Sequence, residues 1–293
     1  MTTAATLTPS FDPPLRACRL CGSASIGRHD RDYRGITIDR CSRCGVAFMN
    51  PQYTDEYLAE YYAGYMGDFE RIQDPARYAR RAKAKNEHIA QIEHYTSVGR
   101  FFAVGAGDGL EMQIARRRGW DVVGFDVDAE TTRQVAELTG DPVWCGDLFA
   151  MGIEDSSFDA IFLDQVIEHP KNPEEYLRLC HRILRPDGVL YLGCPNIRSL
   201  SSALKTVIGR VGLKKQRGKH YDTWHHLFYY SPESLRFLLE SVYDYEVLVL
   251  EGDPKPPPPR DASARLAVVN VLKTRFPVLD SAMRALVRPL RKT

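Results

Sequence analysis

Three groups of residues in this 293-residue chain have the types and spacing to do chemistry. The first is a pair of C-x-x-C knuckles, Cys18-Arg-Leu-Cys21 and Cys41-Ser-Arg-Cys44, separated by 19 residues. Each knuckle aims two thiolates at one point, and two knuckles at this separation complete a tetrahedral four-cysteine zinc site. Gly22 and Gly45 follow the second cysteine of each pair and supply the tight backbone that knuckles need. No coordination position is left open, so the expected ion is structural and staples a segment too short to hold a core alone. A redox role for either pair is the competing reading. The second group is the turn Gly105-Ala106-Gly107-Asp108-Gly109, followed 21 positions after Gly105 by Asp126. Glycines at alternate positions let the backbone come within contact distance of a ligand, and an acid at the end of the next strand can accept both hydroxyls of a ribose. The third group is histidine: His169 directly after Glu168, and His220, His225 and His226 in the aromatic-rich stretch Lys219 to Phe228. An imidazole is suited to take a proton near neutrality, which makes these four the candidate general bases. Capping and packing ahead of a helix over Pro232 to Leu239 is the bland alternative for the last three.

The elements that must hold these groups follow from the apolar pattern. Phe101 to Val104 is a short apolar run bounded by glycine, the look of a strand buried on both faces. Leu110 to Arg118 reads as a helix ended by Gly119, and Val122-Val123 begins a second strand. A helix over Ala129 to Thr139 leads to a short strand, Pro142 to Trp144, and the turn Cys145-Gly146-Asp147-Leu148. Ala160 to Leu163 is the fourth strand and delivers Asp164 and Gln165. A helix over Pro173 to Leu184, a turn at Arg185 to Gly188 and a fifth strand, Val189 to Leu192, come next. Strands alternating with helices at this spacing predict an α/β architecture: a doubly wound, Rossmann-like, mostly parallel sheet with ligand at the carboxyl ends of its strands. Asp147 then lies beside the same crevice as Asp126. Upstream, Thr54 to Tyr95 reads as helical, with Tyr57, Tyr61, Tyr62, Tyr65 and Phe69 mixing packing and exposed positions, and Arg77, Arg80, Arg81, Lys83 and Lys85 as a solvated basic face.

Composition bounds the rest. A formal charge of +1 gives no general affinity for nucleic acid, and this disfavours RNA as the substrate. No stretch approaches 18 uncharged apolar residues, and Met1 to Pro14 lacks the apolar core of a signal peptide, so a cytoplasmic protein with reduced cysteines is expected. The expected organisation is a loose arm (1–15), the ribbon (16–52), linker helices (53–98) and a core (99–253) with an acceptor lid at 197–230. A proline-rich linker and a basic amphipathic C-terminal helix fill 254–293. The helix at Val278 to Leu290, with Arg284, Arg288, Arg291 and Lys292, and the lid segment Leu200 to Lys219 could each rest on an anionic bilayer.

The glycines read G-x-G-x-G, whereas the nicotinamide and flavin fingerprint G-x-G-x-x-G would need a glycine at Leu110. Downstream stand Ser157-Phe158-Asp159-Ala160-Ile161, Val166-Ile167-Glu168-His169, Asn172-Pro173, Leu184-Arg185-Pro186-Asp187-Gly188 and Pro195-Asn196. In these motifs Gly99 to Asn196 resembles the class I S-adenosylmethionine-dependent methyltransferases, in their ubiquinone-methyltransferase-like branch. The resemblance implies S-adenosylmethionine as cofactor, with Gly105, Ala106, Gly107, Asp108 and Gly109 against its methionine part. It puts Asp126 and Val127 at the ribose, Asp147 and Leu148 around the adenine, and Asp164 and Gln165 in the same pocket. One departure is Ala103, where the family carries an acid that helps hold the cofactor's amino end; Asp108 or a residue of the tyrosine-rich helix could take that role. A four-cysteine ribbon ahead of such a core is similar to a group of bacterial methyltransferases acting on sugars, natural products or cell-envelope precursors. The expectation is a methyltransferase for a small-molecule, sugar or lipid-linked acceptor, with oxygen as the favoured acceptor atom. The alternative is a non-catalytic methyltransferase-like partner protein whose ribbon mediates protein contacts.

Overall fold

The computed structural model describes residues 8–63, 75–210, 218–253 and 280–291. Phe101, Phe102, Ala103 and Val104 are all buried, as their unbroken apolar run requires, and form β4 (Arg100–Val104), an interior strand of a seven-stranded sheet. Parallel neighbours flank it: β5 (Asp121–Asp126) then β6 (Val143–Cys145) on one side, β7 (Phe158–Asp164) then β8 (Leu184–Pro195) on the other. Chain order therefore reverses between β4 and β7, and the carboxyl ends of these strands open a crevice there. The crossover helices are α3 (Leu110–Arg117), α4 (Ala129–Thr139) and α5 (Pro173–Ile183). Local chemistry sets their ends: the Asp128 carboxylate accepts from Thr131 N at 2.8 Å to cap α4, and Pro173 opens α5, where a missing N–H is harmless.

Two expectations are corrected at the far edge. Arg185 to Gly188 is not a separate turn; it lies within β8, in a bulge where Leu184 pairs with Phe158 and Val189 with Ala160. The described residues from 280 to 290 do not form a basic helix either. Ala282–Pro289 is a strand, β11, inserted antiparallel between β8 and β10 (Tyr245–Gly252). The i, i+4 spacing of Arg284 and Arg288 imitates a helix face, yet Met283, Ala285, Leu286 and Val287 are buried between two strands. Arg284 pairs with Glu251 at 2.8 Å and Arg288 donates to the Tyr95 carbonyl, so these cations are consumed within the fold and form no membrane-facing stripe. The core thus runs past 253 to residue 289. Lys255 to Arg260 and Lys292 lie outside the described residues.

The ribbon is a second sheet in the order β1 (Ile26–Arg31), β2 (Thr37–Cys41), β3 (Ala47–Met49), β9 (Phe228–Tyr229). Its fourth strand comes from the far end of the expected lid, so 16–52 does not close on itself. The described part of the arm is also packed: Phe11 stacks on Tyr53 with ring centroids 5.2 Å apart, and Leu15 N donates to Asn50 Oδ1. Two helices follow the ribbon, α1 (Asp55–Tyr62) and α2 (Pro75–Ile92); Tyr65 and Phe69 fall between them, outside the described residues. Beyond β8 come α6 (Leu200–Arg210), the short turn Lys219–Tyr221, β9 and α7 (Pro232–Ser241), the last opened by a capping box between Ser231 and Ser234. Val211, Lys214, Lys215 and Arg217 of the expected lid are not among the described residues. No described helix is long and apolar enough to cross a membrane.

Candidate functional site

A cavity of about 700 Å³ occupies the crevice at the sheet's reversal point, within the range of nucleotide-sized ligand clefts. Val104, Gly105, Gly107 and Asp108 form one wall, Asp126, Val127 and Asp128 a second, and Asp164, Gln165, Val166 and His169 a third. The turn needs its glycines: Gly105 and Gly107 have φ of +76° and +53°, and a Cβ on Gly105 would come within 2.5 Å of Val166 Cγ2. Asp126 Oδ2 accepts from Gly107 N at 3.0 Å, which ties the acid to the turn, and burial raises its pKa. Gln165 holds a left-handed φ of +57°, with its N–H donated to the Gly193 carbonyl at 2.8 Å; a strained non-glycine residue at a cavity wall is a signature of functional sites.

A partly buried ion-pair network lines the cavity beside the glycine turn. Arg81 of α2 grips Asp108 through two contacts, Nη1 to Oδ2 at 2.5 Å and Nη2 to Oδ1 at 3.0 Å. One turn on, Lys85 reaches Asp164 at 2.8 Å and Glu111 at 3.5 Å. Burial pushes the Lys85 ammonium down, but the charges of Asp164 and Glu111 and the hydrogen bond to Asp164 outweigh it and raise its pKa, so it stays charged. Five carboxylates (Asp108, Glu111, Asp126, Asp128, Asp164) against two cations leave the cavity wall acidic, which suits a cationic ligand such as a sulfonium with its α-ammonium group.

The sequence reading placed Arg81 and Lys85 on a solvated face; the structure turns both into the cavity. Their i, i+4 spacing, in register with buried His88, Ile89 and Ile92, was the signal available. Glu111, Tyr62 and Tyr176 also line the cavity without having been singled out for it. Ala106 and Gly109 do not. Ala106 is core, and Gly109 starts α3 in a left-handed conformation crowded by Val135. Asp147 is outside the cavity wall as well, its carboxylate accepting from Phe149 N, and Leu148 is buried beneath.

His169 belongs to the cavity wall and to a second cluster. Its ring stacks on His225 with centroids 5.0 Å apart and meets His226 edge-on at 4.9 Å; nitrogens of the three lie within 4.8 Å of one another. His220 is not brought there, because its ring lies against Tyr221, 4.4 Å between centroids. Tyr62 contacts His169 Nδ1 and Tyr61 contacts His225 Nδ1, each at 3.2 Å. The His225 carbonyl, 3.3 Å from His169 Nδ1, can only accept, so the network assigns the proton to Nδ1 and leaves the lone pair on Nε2. Burial, then the neighbouring imidazoles, hold His169 down at about 3 and His226 at about 2, and burial lowers His225, so all three are neutral at physiological pH. Glu168 beside them is 1% exposed, neither carboxyl oxygen has a hydrogen-bond partner although His169 Nε2 stands 3.8 Å from Oε1, and burial pushes it up to about 8.

The four cysteines converge. Cys18 and Cys44 sulfurs are 3.7 Å apart, Cys21 and Cys41 sulfurs 3.5 Å apart, and all four lie within 4.8 Å of one another. Sulfurs at about 2.3 Å from a tetrahedral zinc stand roughly 3.8 Å from each other, so the set fits that ion. Gly22 and Gly45 both take positive φ, as the knuckles require.

A doubly wound sheet with a glycine turn, an acid at the end of the next strand and an acidic crevice at its reversal point is a Rossmann-like α/β methyltransferase fold. Residues 102–192 match the family described as a methyltransferase domain. Among characterised relatives, the mitochondrial ubiquinone biosynthesis O-methyltransferase of Mus musculus is 31% identical over 147 residues, covering 47% of this chain and 39% of that protein. The Caulobacter vibrioides ubiquinone biosynthesis O-methyltransferase is 28% identical over 149 residues, covering 48% and 55%. The chain therefore spans about two fifths of the length of the first relative it matches. Among solved structures, a Pyrococcus horikoshii protein superposes with a TM-score of 0.52 at 14% identity, over 81% of this chain and all of that one.

Proposed function

We propose that this protein is an S-adenosylmethionine-dependent methyltransferase that methylates a hydroxyl of a small-molecule, sugar or lipid-linked acceptor. The observation that carries the reading is the double membership of His169. It lines the acidic cavity and also stacks within a cluster of neutral imidazoles, so proton acceptors border the space where a cofactor's reactive end belongs. When bound there, S-adenosylmethionine supplies an electrophilic methyl group. Asp126 would hold the ribose hydroxyls, while Asp108, Glu111 and Asp164, steadied by Arg81 and Lys85, would hold the amino-acid end in place of an acid at position 103. Among His169, His225 and His226, a ring with a free lone pair takes the acceptor's hydroxyl proton as its oxygen becomes the nucleophile. Positioning supplies much of the remaining rate enhancement in such a displacement. We infer that the four-cysteine ribbon holds a structural zinc ion, and that the protein works in the reducing cytoplasm, where its seven cysteines stay free.

Calorimetry with S-adenosylmethionine and S-adenosylhomocysteine tests the cofactor. No heat of binding at millimolar ligand would end the proposal, and a binding protein that transfers no deuterated methyl to a panel of hydroxylated acceptors would be the non-catalytic alternative. Metal analysis checks the ribbon: about one zinc per chain is expected.

A further inference from the structure

The ribbon and the histidine cluster are joined by a dense set of contacts at one place. Strand β9 begins two residues after His226 and pairs with β3, the strand that follows Cys44, through Phe48 and Ala47. Met49 N donates to the Leu227 carbonyl at 2.8 Å, and Tyr53 OH donates to the Thr223 carbonyl at 2.7 Å. The hairpin tip between β1 and β2 supplies the rest. Arg34 Nη2 donates to Thr223 Oγ1 at 2.9 Å and to Tyr53 OH at 2.7 Å, and its guanidinium lies 3.8 Å over the Trp224 ring. The Thr223 hydroxyl donates to the Asp32 carboxylate, Trp224 Nε1 donates to Tyr33 OH at 3.2 Å, and Tyr221 OH donates to Asp30 Oδ2 at 3.2 Å. Every residue from Tyr221 to Trp224 except Asp222 is thus held by the ribbon's β1–β2 hairpin. The next two residues are His225 and His226.

We propose that the four-cysteine ribbon is the positioning module of the histidine cluster, with Arg34 as the positioning residue. Arg34 touches neither the cavity nor the imidazoles. Its planar fork bridges the ribbon's Asp32 and Tyr53 to Thr223 while its face packs on Trp224, a combination that a point-charge lysine cannot reproduce. Metal binding at Cys18, Cys21, Cys41 and Cys44 orders the sheet to which β9 is added, so the ribbon's integrity sets where His225 and His226 stand. This rests on the assignment of those rings to acceptor activation, but its test does not depend on knowing the acceptor.

The experiment compares the full chain with Arg34→Gln, Arg34→Lys and Thr223→Val. Thr223→Val is made on the loop side and leaves Asp32 and Arg34 paired, so it stays informative where an Arg34 variant fails to fold. Three readouts are taken: calorimetric binding of S-adenosylhomocysteine, zinc per chain, and NMR of isotopically labelled histidine side chains. The expected result is affinity within about threefold of the parent and full zinc occupancy, since distant sites leave each other's energies nearly unchanged. The His225 and His226 signals shift, those of His88 and His181 hold, and Arg34→Lys fails to restore the parent positions. Chelation of the zinc should shift the same two histidines while the nucleoside site still binds. Unmoved His225 and His226 signals in folded, zinc-loaded Arg34→Gln and Thr223→Val would overturn the proposal. Loss of nucleoside binding together with zinc would also overturn it, because a ribbon that only positions the loop leaves the glycine turn standing. A parent that never binds S-adenosylhomocysteine refutes the proposed function instead, so the two failures are separable.

Discussion

Glu168→Gln should stabilise this protein at neutral and alkaline pH and do little in acid. The carboxyl is 1% exposed and neither oxygen has a hydrogen-bond partner, so burial pushes its pKa from 4.5 to about 8. A group whose folded pKa is raised contributes stability that is fully present below its unfolded pKa and lost as pH rises through the folded value. At pH 7, which is about 2.5 pH units above the unfolded pKa, the unfolded chain has shed the proton and the folded chain keeps it, a difference of about 3 kcal/mol. Glutamine has the shape of the neutral acid and no proton to lose, so the variant escapes that penalty. For a chain of this length the unfolding entropy is about 0.6 kcal/mol per degree, and 3 kcal/mol corresponds to roughly 5 °C in Tm. At pH 5 the advantage falls below about 1 kcal/mol, because the unfolded carboxyl is then only partly ionised. His169, whose Nε2 lies 3.8 Å from Glu168 Oε1, and His226 both stay neutral in the folded protein between pH 5 and pH 8. Scanning calorimetry of the pair at pH 5 and pH 8 decides it. A Tm difference that is the same at both pH values, or a variant less stable at pH 8, would refute the reasoning.

Five other outcomes follow from the same geometry. Asp126→Asn should weaken S-adenosylhomocysteine binding about 10- to 100-fold by calorimetry, the loss expected when a charged acceptor becomes neutral, with the fold intact. Lys85→Met strands Glu111 and Asp164 without their cation and should cost about 3–5 kcal/mol in denaturant unfolding; a variant as stable as the parent would show that the network is not needed. Because burial keeps His169 and His226 at about 3 and about 2, the methylation rate should show no acid limb near pH 6.5, and a limb there would rule out these rings in their buried setting as the base. The same depression means stability is lost as pH falls below 6.5 and the unfolded imidazoles take protons, which acid unfolding monitored by circular dichroism would register. Cys41→Ser should abolish zinc retention, measured by metal analysis after gel filtration.

The core was legible because its signals are local. Phe101 to Val104 and the alternate glycines carry their meaning within nine residues, and the strand carboxyl ends deliver Asp126 and Asp164 to one crevice without knowledge of any long-range contact. The ribbon's thiols were equally plain, since metal-ligand spacing is a short-range pattern. What could not be read was everything decided by partners far along the chain. Arg81 and Lys85 look like any exposed i, i+4 cations until Asp108, Glu111 and Asp164 are seen opposite them. Arg284 and Arg288 mimic a helix face until Glu251 and the Tyr95 carbonyl claim them. His220 and His225 are close in sequence, but only the second faces His169, because the turn at Lys219–Tyr221 sends His220 toward Tyr221. Phe228-Tyr229 is too short to announce itself as the last strand of a sheet begun two hundred residues earlier.

The placement of β11 bears on how the protein is made. It is the last strand of its sheet in sequence, yet it lies inside that sheet, with β8 on one side and β10 on the other. A nascent chain that has emerged only as far as β10 therefore exposes two open hydrogen-bonding edges, and the one on β8 runs through the buried Leu190, Tyr191 and Leu192. Such an edge is a template for strands of neighbouring chains. During synthesis the interval between β10 and β11 is thus a window of aggregation risk, in which chaperone occupancy of the β8 edge would be expected to matter most.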